Sequence, residues 1–108
     1  MEKYTLQFVE KFIRPVLDNG ASKVVQFSFP KGKVLEKHHT TSDILVFVLK
    51  GQVYFRTDEE VLLKEGDLLS LEKNIEHSIE ALEDSLVTLV LTPSPTAHSI
   101  FKPTPGEK

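Results

Sequence analysis

Gly66-Asp67-Leu68-Leu69-Ser70-Leu71-Glu72-Lys73-Asn74-Ile75-Glu76-His77-Ser78-Ile79 is the stretch whose reading decides the fold. Gly-Asp is a turn signal, residues 68–71 suffice for one short strand, and Glu72-Lys73-Asn74 is a second turn in which asparagine can take the left-handed backbone. From His77 the chain alternates again. His77 shares its parity with Ile75, Ile79 and Ala81, so its imidazole is expected on the face that enters a core. Strand, turn and strand follow one another here with no room for a crossover helix, which points to antiparallel pairing.

The same rhythm extends in both directions. From Ser22 the chain alternates, with Val25, Phe27 and Phe29 on one face and Val24, Gln26 and Ser28 on the other: a half-buried strand. Residues 36–43 form a polar stretch holding His38 and His39. Residues 44–49, Ile-Leu-Val-Phe-Val-Leu, are β-branched and aromatic enough to suggest a strand buried on both faces. Further strands are expected at 52–57, 68–71, 77–82 and 85–91, with turns at 58–60, 64–67, 72–74 and 83–84. Asp18-Asn19-Gly20 predicts a tight reversal that opens a hairpin. Residues 4–13 read equally as an alternating strand or as one side of a short helix. After Thr92 a proline-rich tail excludes a continuous central strand; Ile100 and Phe101 are the residues by which it would lie on the barrel or a neighbour, and His98 is expected to face solvent. The division is thus an N-terminal strand or short helix over 1–20, a barrel over 21–92 and a tail over 93–108.

Composition narrows the function classes. The 108 residues suit one domain, and 40% hydrophobic with 27% charged residues is ordinary for a folded globular chain. The absence of cysteine removes disulfides, thiolate metal ligands and a cysteine nucleophile, and makes the cytoplasm the expected compartment. No apolar run approaches a membrane span, and the first residues lack a signal-peptide core. The net charge of −3, with lysines interleaved among acids, argues against nucleic acid as a partner. There is no phosphate-binding glycine loop, nucleophile elbow or zinc-protease helix.

Gly32, His38 and Gly51, followed by Gly66, Asp67 and His77, resemble in spacing the two motifs of the cupin superfamily, and in particular its small single-domain bacterial members. The resemblance covers residues 24–91 and implies an all-β, cupin-type double-stranded β-helix (jelly-roll) barrel, mostly antiparallel. Carried over residue by residue, the family's four metal ligands fall on His38, Thr40, Ile44 and His77. Threonine is a poor ligand for a divalent transition metal and isoleucine is none, so the resemblance implies a degenerate site. His38 and His77 remain the candidate metal ligands, for zinc, iron, manganese or nickel. His39 is a weaker candidate because neighbours on a strand point to opposite faces.

Asp43 lies one position before the family glutamate, and parity turns it away, which favours a solvated carboxylate at a strand start. The candidate ligand-binding set is His38, His77, Thr40 and Phe47. The leading expectation is a barrel holding a small molecule in an apolar pocket with the two histidines as polar anchors. A metal-dependent oxygenase or isomerase is the alternative, and a sensor domain acting through a partner chain is a third. The resemblance also implies a homodimer.

Overall fold

Apolar residues recurring at every second position build the molecule. The computed structural model describes residues 1–95 and the backbone of Lys102–Pro103. Its strands are β1 (Ile13–Asp18), β2 (Lys23–Phe29), β3 (Val34–His39), β4 (Asp43–Lys50), β5 (Gln52–Arg56), β6 (Glu60–Lys64), β7 (Leu68–Leu71), β8 (His77–Ala81), β9 (Ser85–Thr92) and the two-residue β10 (Lys102–Pro103). All pairings are antiparallel and form two five-stranded sheets, ordered β1-β2-β9-β4-β7 and β10-β3-β8-β5-β6. The facing surfaces interlock through Val25, Phe27 and Phe29 of β2, Ile44, Val46 and Val48 of β4, Val53 and Phe55 of β5, Ile79 and Ala81 of β8, and Val87, Leu89 and Leu91 of β9. This is the jelly roll that the resemblance implies, built on the all-β strand rhythm, and the described residues contain no helix.

Turn chemistry behaves as read. Asn74 adopts φ 65°, the left-handed conformation its side chain tolerates. The reversal at Asp18–Gly20 is held by Asp18 Oδ1 accepting the Gly20 amide and Asn19 Oδ1 accepting the Ala21 and Ser22 amides.

Several expectations need correction. Residues 1–12 form neither strand nor helix, and regular structure begins only at β1. β3 falls partly in the polar stretch 36–43, and β6 forms where the pattern predicts only the space between the turns at 58–60 and 64–67. The two central strands exchange roles. β4, expected to be buried on both faces, alternates strictly and leaves Leu45, Phe47 and Leu49 exposed. β2, expected to be half-buried, is covered on its outer face too, where Gln26 and Ser28 are fully buried. The cover is the N-terminal segment. Gln26 behaves as a surrogate peptide group, its Oε1 accepting the Gln7 amide at 3.3 Å and its Nε2 donating to the Gln7 carbonyl at 2.8 Å. Ser28 Oγ accepts the Val9 amide, and Phe12 packs edge-on against Phe27 and Phe29. His98, Ile100 and Phe101 lie outside the described residues. Among the described residues, no helix is long and apolar enough to cross a membrane.

Candidate functional site

Strands β3 and β8 pair antiparallel, and an irregularity between Leu35 and His38 determines what faces inward. Leu35 is opposite Ile79, while His38 is opposite His77, so β3 spends one more residue than β8 between these two pairs. Such a bulge reverses the alternation beyond it. Leu35 packs on the core, a regular ladder would turn Lys37 inward, and the extra residue brings in His38 instead. His38 and His77 thus form a directly opposed cross-strand pair, 5% and 2% exposed. Their ring centroids are 4.4 Å apart at 61°. They sit where β3 ends and β8 begins, at one end of the barrel. Phe55, on the neighbouring β5, lies nearly parallel to the His77 ring at 5.3 Å and 12°.

The hydrogen bonds fix the chemistry of both rings. His38 Nδ1 lies 2.7 Å from the Glu36 carbonyl oxygen and His77 Nδ1 lies 2.8 Å from that of Ile75. A carbonyl only accepts, so each Nδ1 carries the proton and donates it, and in the neutral ring Nε2 is left with a lone pair. His77 Nε2 is sealed from solvent and has no hydrogen-bond partner among the described residues. Desolvation by burial pushes the His77 pKa down to about 4; the proximity of His38 and His39 adds to this, against the opposing bond to the Ile75 carbonyl. The ring is therefore neutral near pH 7.

The remaining candidates separate from this pair. Thr40 is buried, but its hydroxyl donates to the Ser42 carbonyl at 2.8 Å and accepts the Ser42 amide at 3.2 Å. It holds a local turn rather than offering its proton to a ligand. Ile44 is core and brings no donor atom. Phe47 is 38% exposed on the outer face, so its proposed place in an interior pocket is corrected; β4 alternates and 47 has the opposite parity to Ile44. Asp43 is exposed, and its Oδ1 accepts the Lys73 amide at 2.9 Å, fastening the turn before β8. His39 is half-buried and follows His38 on the strand; the described residues contain no group of three His, Asp or Glu placed to hold a metal. Two imidazoles with a committed hydroxyl and an isoleucine do not make a full divalent-metal shell.

Two concavities lie at this end, one reached by His77 and the other by Phe55. One, about 540 Å³, is lined by His77 with Lys37, Arg56, Thr57, Asp58, Glu76 and others. Its cations are already paired: Arg56 with Glu60 and Glu80 at 2.7 Å each, and Lys37 with Glu76 at 3.5 Å. The other, about 200 Å³, is mainly apolar and lined by Phe55, Val61, Leu69 and Leu71, with Thr57, Glu59 and Ser70. Phe55 and the bulge are the parts of the site that sequence reasoning missed. The parity of Phe55 with Val53 could have placed the ring inside, whereas nothing in Glu36-Lys37 announces an extra residue.

Residues 25–98 match the cupin domain family, more than half of the chain. The chain is a cupin. Among solved structures, this cupin is similar to KdgF from Halomonas sp., at 27% identity and TM-score 0.71 over 85% of this chain and 86% of that one. A conserved protein of unknown function from Streptococcus pyogenes is 26% identical, with TM-score 0.69 over 79% and 75% of the two chains. An RmlC-like cupin from Desulfovibrio desulfuricans has TM-score 0.78 over 87% and 98%, and at 22% identity it shows the fold alone. No curated protein matches the cupin in sequence.

Proposed function

We propose that this cupin is a small-molecule-binding barrel whose site is the end that carries His38 and His77. The observation that carries the reading is His77 Nε2, a buried polar atom with no hydrogen-bond partner among the described residues, on a residue that lines one concavity and stacks on Phe55, which lines a second. Buried acceptors are ordinarily satisfied, and a bound molecule is one way of satisfying this one. The barrel centre is filled by its own side chains, so the ligand would seat at the strand ends rather than run through the core. Calorimetry against a metabolite panel tests this: binding that is lost in His77→Leu is the expected result, and no binding across the panel overturns it.

A second reading, a metal-dependent cupin enzyme, is favoured by one feature: both imidazoles donate Nδ1–H to a carbonyl, as metal-ligating histidines commonly do. Elemental analysis of untagged protein separates the two. Stoichiometric metal that disappears in His77→Ala supports the enzyme, and substoichiometric metal supports the binding module. The reading includes a cytoplasmic homodimer, with pairing supported by the uncovered apolar residues Leu45, Phe47, Leu49 and Leu68 on one outer face.

A further inference from the structure

We infer that the His77 end of the barrel accepts ligands presenting a hydrogen-bond donor, uncharged or cationic, and rejects carboxylates and other anions. The inference rests on the small-molecule reading above and specifies what that site recognises. Three observations converge on it.

The first is the tautomer. His77 commits its Nδ1 proton to the Ile75 carbonyl, so the buried Nε2 can accept a hydrogen bond and has no proton to give. His38 is held the same way by the Glu36 carbonyl, so it too directs a lone pair rather than an N–H from Nε2. Exchanging the tautomer of His77, or turning the ring over about its Cβ–Cγ bond, would break its bond to the Ile75 carbonyl.

The second is charge. An anion entering a buried site needs donors or a cation. The cations lining the larger concavity, Arg56 and Lys37, are engaged by Glu60, Glu80 and Glu76, and Asp58 adds a further carboxylate. That wall repels a carboxylate and tolerates an ammonium or amidinium.

The third is shape. Phe55 shows one face of its ring to His77 and also lines the 200 Å³ pocket with Val61, Leu69 and Leu71, so an apolar body fits beside the polar contact.

Three probes sharing one ring separate the alternatives: benzyl alcohol, an uncharged donor; benzamidine, a cationic donor; and benzoate, an anion without a donor. Long-range proton–nitrogen NMR of the histidine side chains in the full chain reports the tautomer and the contact together. The expected spectrum has His77 protonated at Nδ1, with its Nε2 signal moved by the alcohol and the amidine, and with benzoate binding at least about tenfold more weakly. In His77→Phe, which keeps an aromatic ring, that preference is expected to vanish while spectral dispersion reports a folded chain. A proton on Nε2, or a preference that survives in His77→Phe, overturns the inference. Benzoate binding as tightly as the alcohol overturns the selectivity and leaves the binding-module reading standing. Silence from all three probes removes that reading and the inference with it.

Discussion

His77 couples the candidate site to the stability of the fold. Its pKa is lowered to about 4 in the folded chain, against an ordinary value of 6.5, so between those values the unfolded state binds the extra proton. The stability that the neutral ring contributes is fully present above pH 6.5 and is lost as the pH falls toward 4. A shift of this size amounts to at most about 3 kcal/mol. Urea unfolding at pH 7 and at pH 4.5 should show this loss, and His77→Leu should flatten that part of the profile; an unchanged profile in the variant would refute the assignment. Gly51 sets a steric limit at the other end of β5 and β8 from His77. At φ 87° an added Cβ would stand 2.5 Å from the Asp84 carbonyl oxygen and 2.8 Å from Ser85 Cα, and against the Ser85 hydroxyl that holds Gln52. Gly51→Ala should cost about 2–4 kcal/mol in denaturant unfolding, whereas Gly66→Ala, with φ 92° and open space around it, should cost about 1 kcal/mol. Equal losses at the two glycines would show that backbone strain alone governs both.

At the scale of elements, the N-terminal segment is held by side chains where another strand would use its backbone. Gln26 clasps Gln7 and also receives Arg14 Nη2 at 3.2 Å, and Arg14 reaches the Thr5 carbonyl as well. Gln26→Leu keeps the volume and removes the clasp, so it should cost about 1–3 kcal/mol and speed amide exchange at Gln7 and Val9. Exchange that rises equally across β4 would mean global loosening instead. This segment also explains what could be read from the chain and what could not. Val25, Phe27, Phe29, Ile79 and Ala81 lie inward as their alternation requires, because a period of two specifies which faces agree. Alternation does not say which outer face another segment will cover. Gln26 and Ser28 therefore looked like solvent-facing residues and are buried, while Leu45 and Phe47 looked like core and are exposed. The histidines followed the same division. His77 was legible from Ile79 and Ala81, but the inward turn of His38 depends on a register change that its neighbours do not encode.

At the scale of the whole molecule, the outer face of the sheet that carries β4 and β7 exposes a row of apolar side chains. Phe47 is opposite Leu68 across β4 and β7, and Leu45 and Leu49 follow on the same face, all between 38% and 53% exposed. Apolar rows of this kind favour pairing of identical chains. Light scattering is expected to give twice the chain mass, and Phe47→Glu should return the mass of one chain without unfolding it. A wild-type monomer at about 100 μM would leave that surface without the proposed role.

The doubled step of β3 between Leu35 and His38 places the inward imidazole by arithmetic rather than by composition. Glu36 and Lys37 could be exchanged for many other pairs and the ring would still point in, and deleting either one would turn the bulge into a regular ladder in which the histidine, now two residues after Leu35, again faces His77. Divergence in this loop-like stretch of strand should therefore be free in spelling, and a relative that is one residue shorter there would retain both the barrel and its dyad, by plain alternation in place of the bulge.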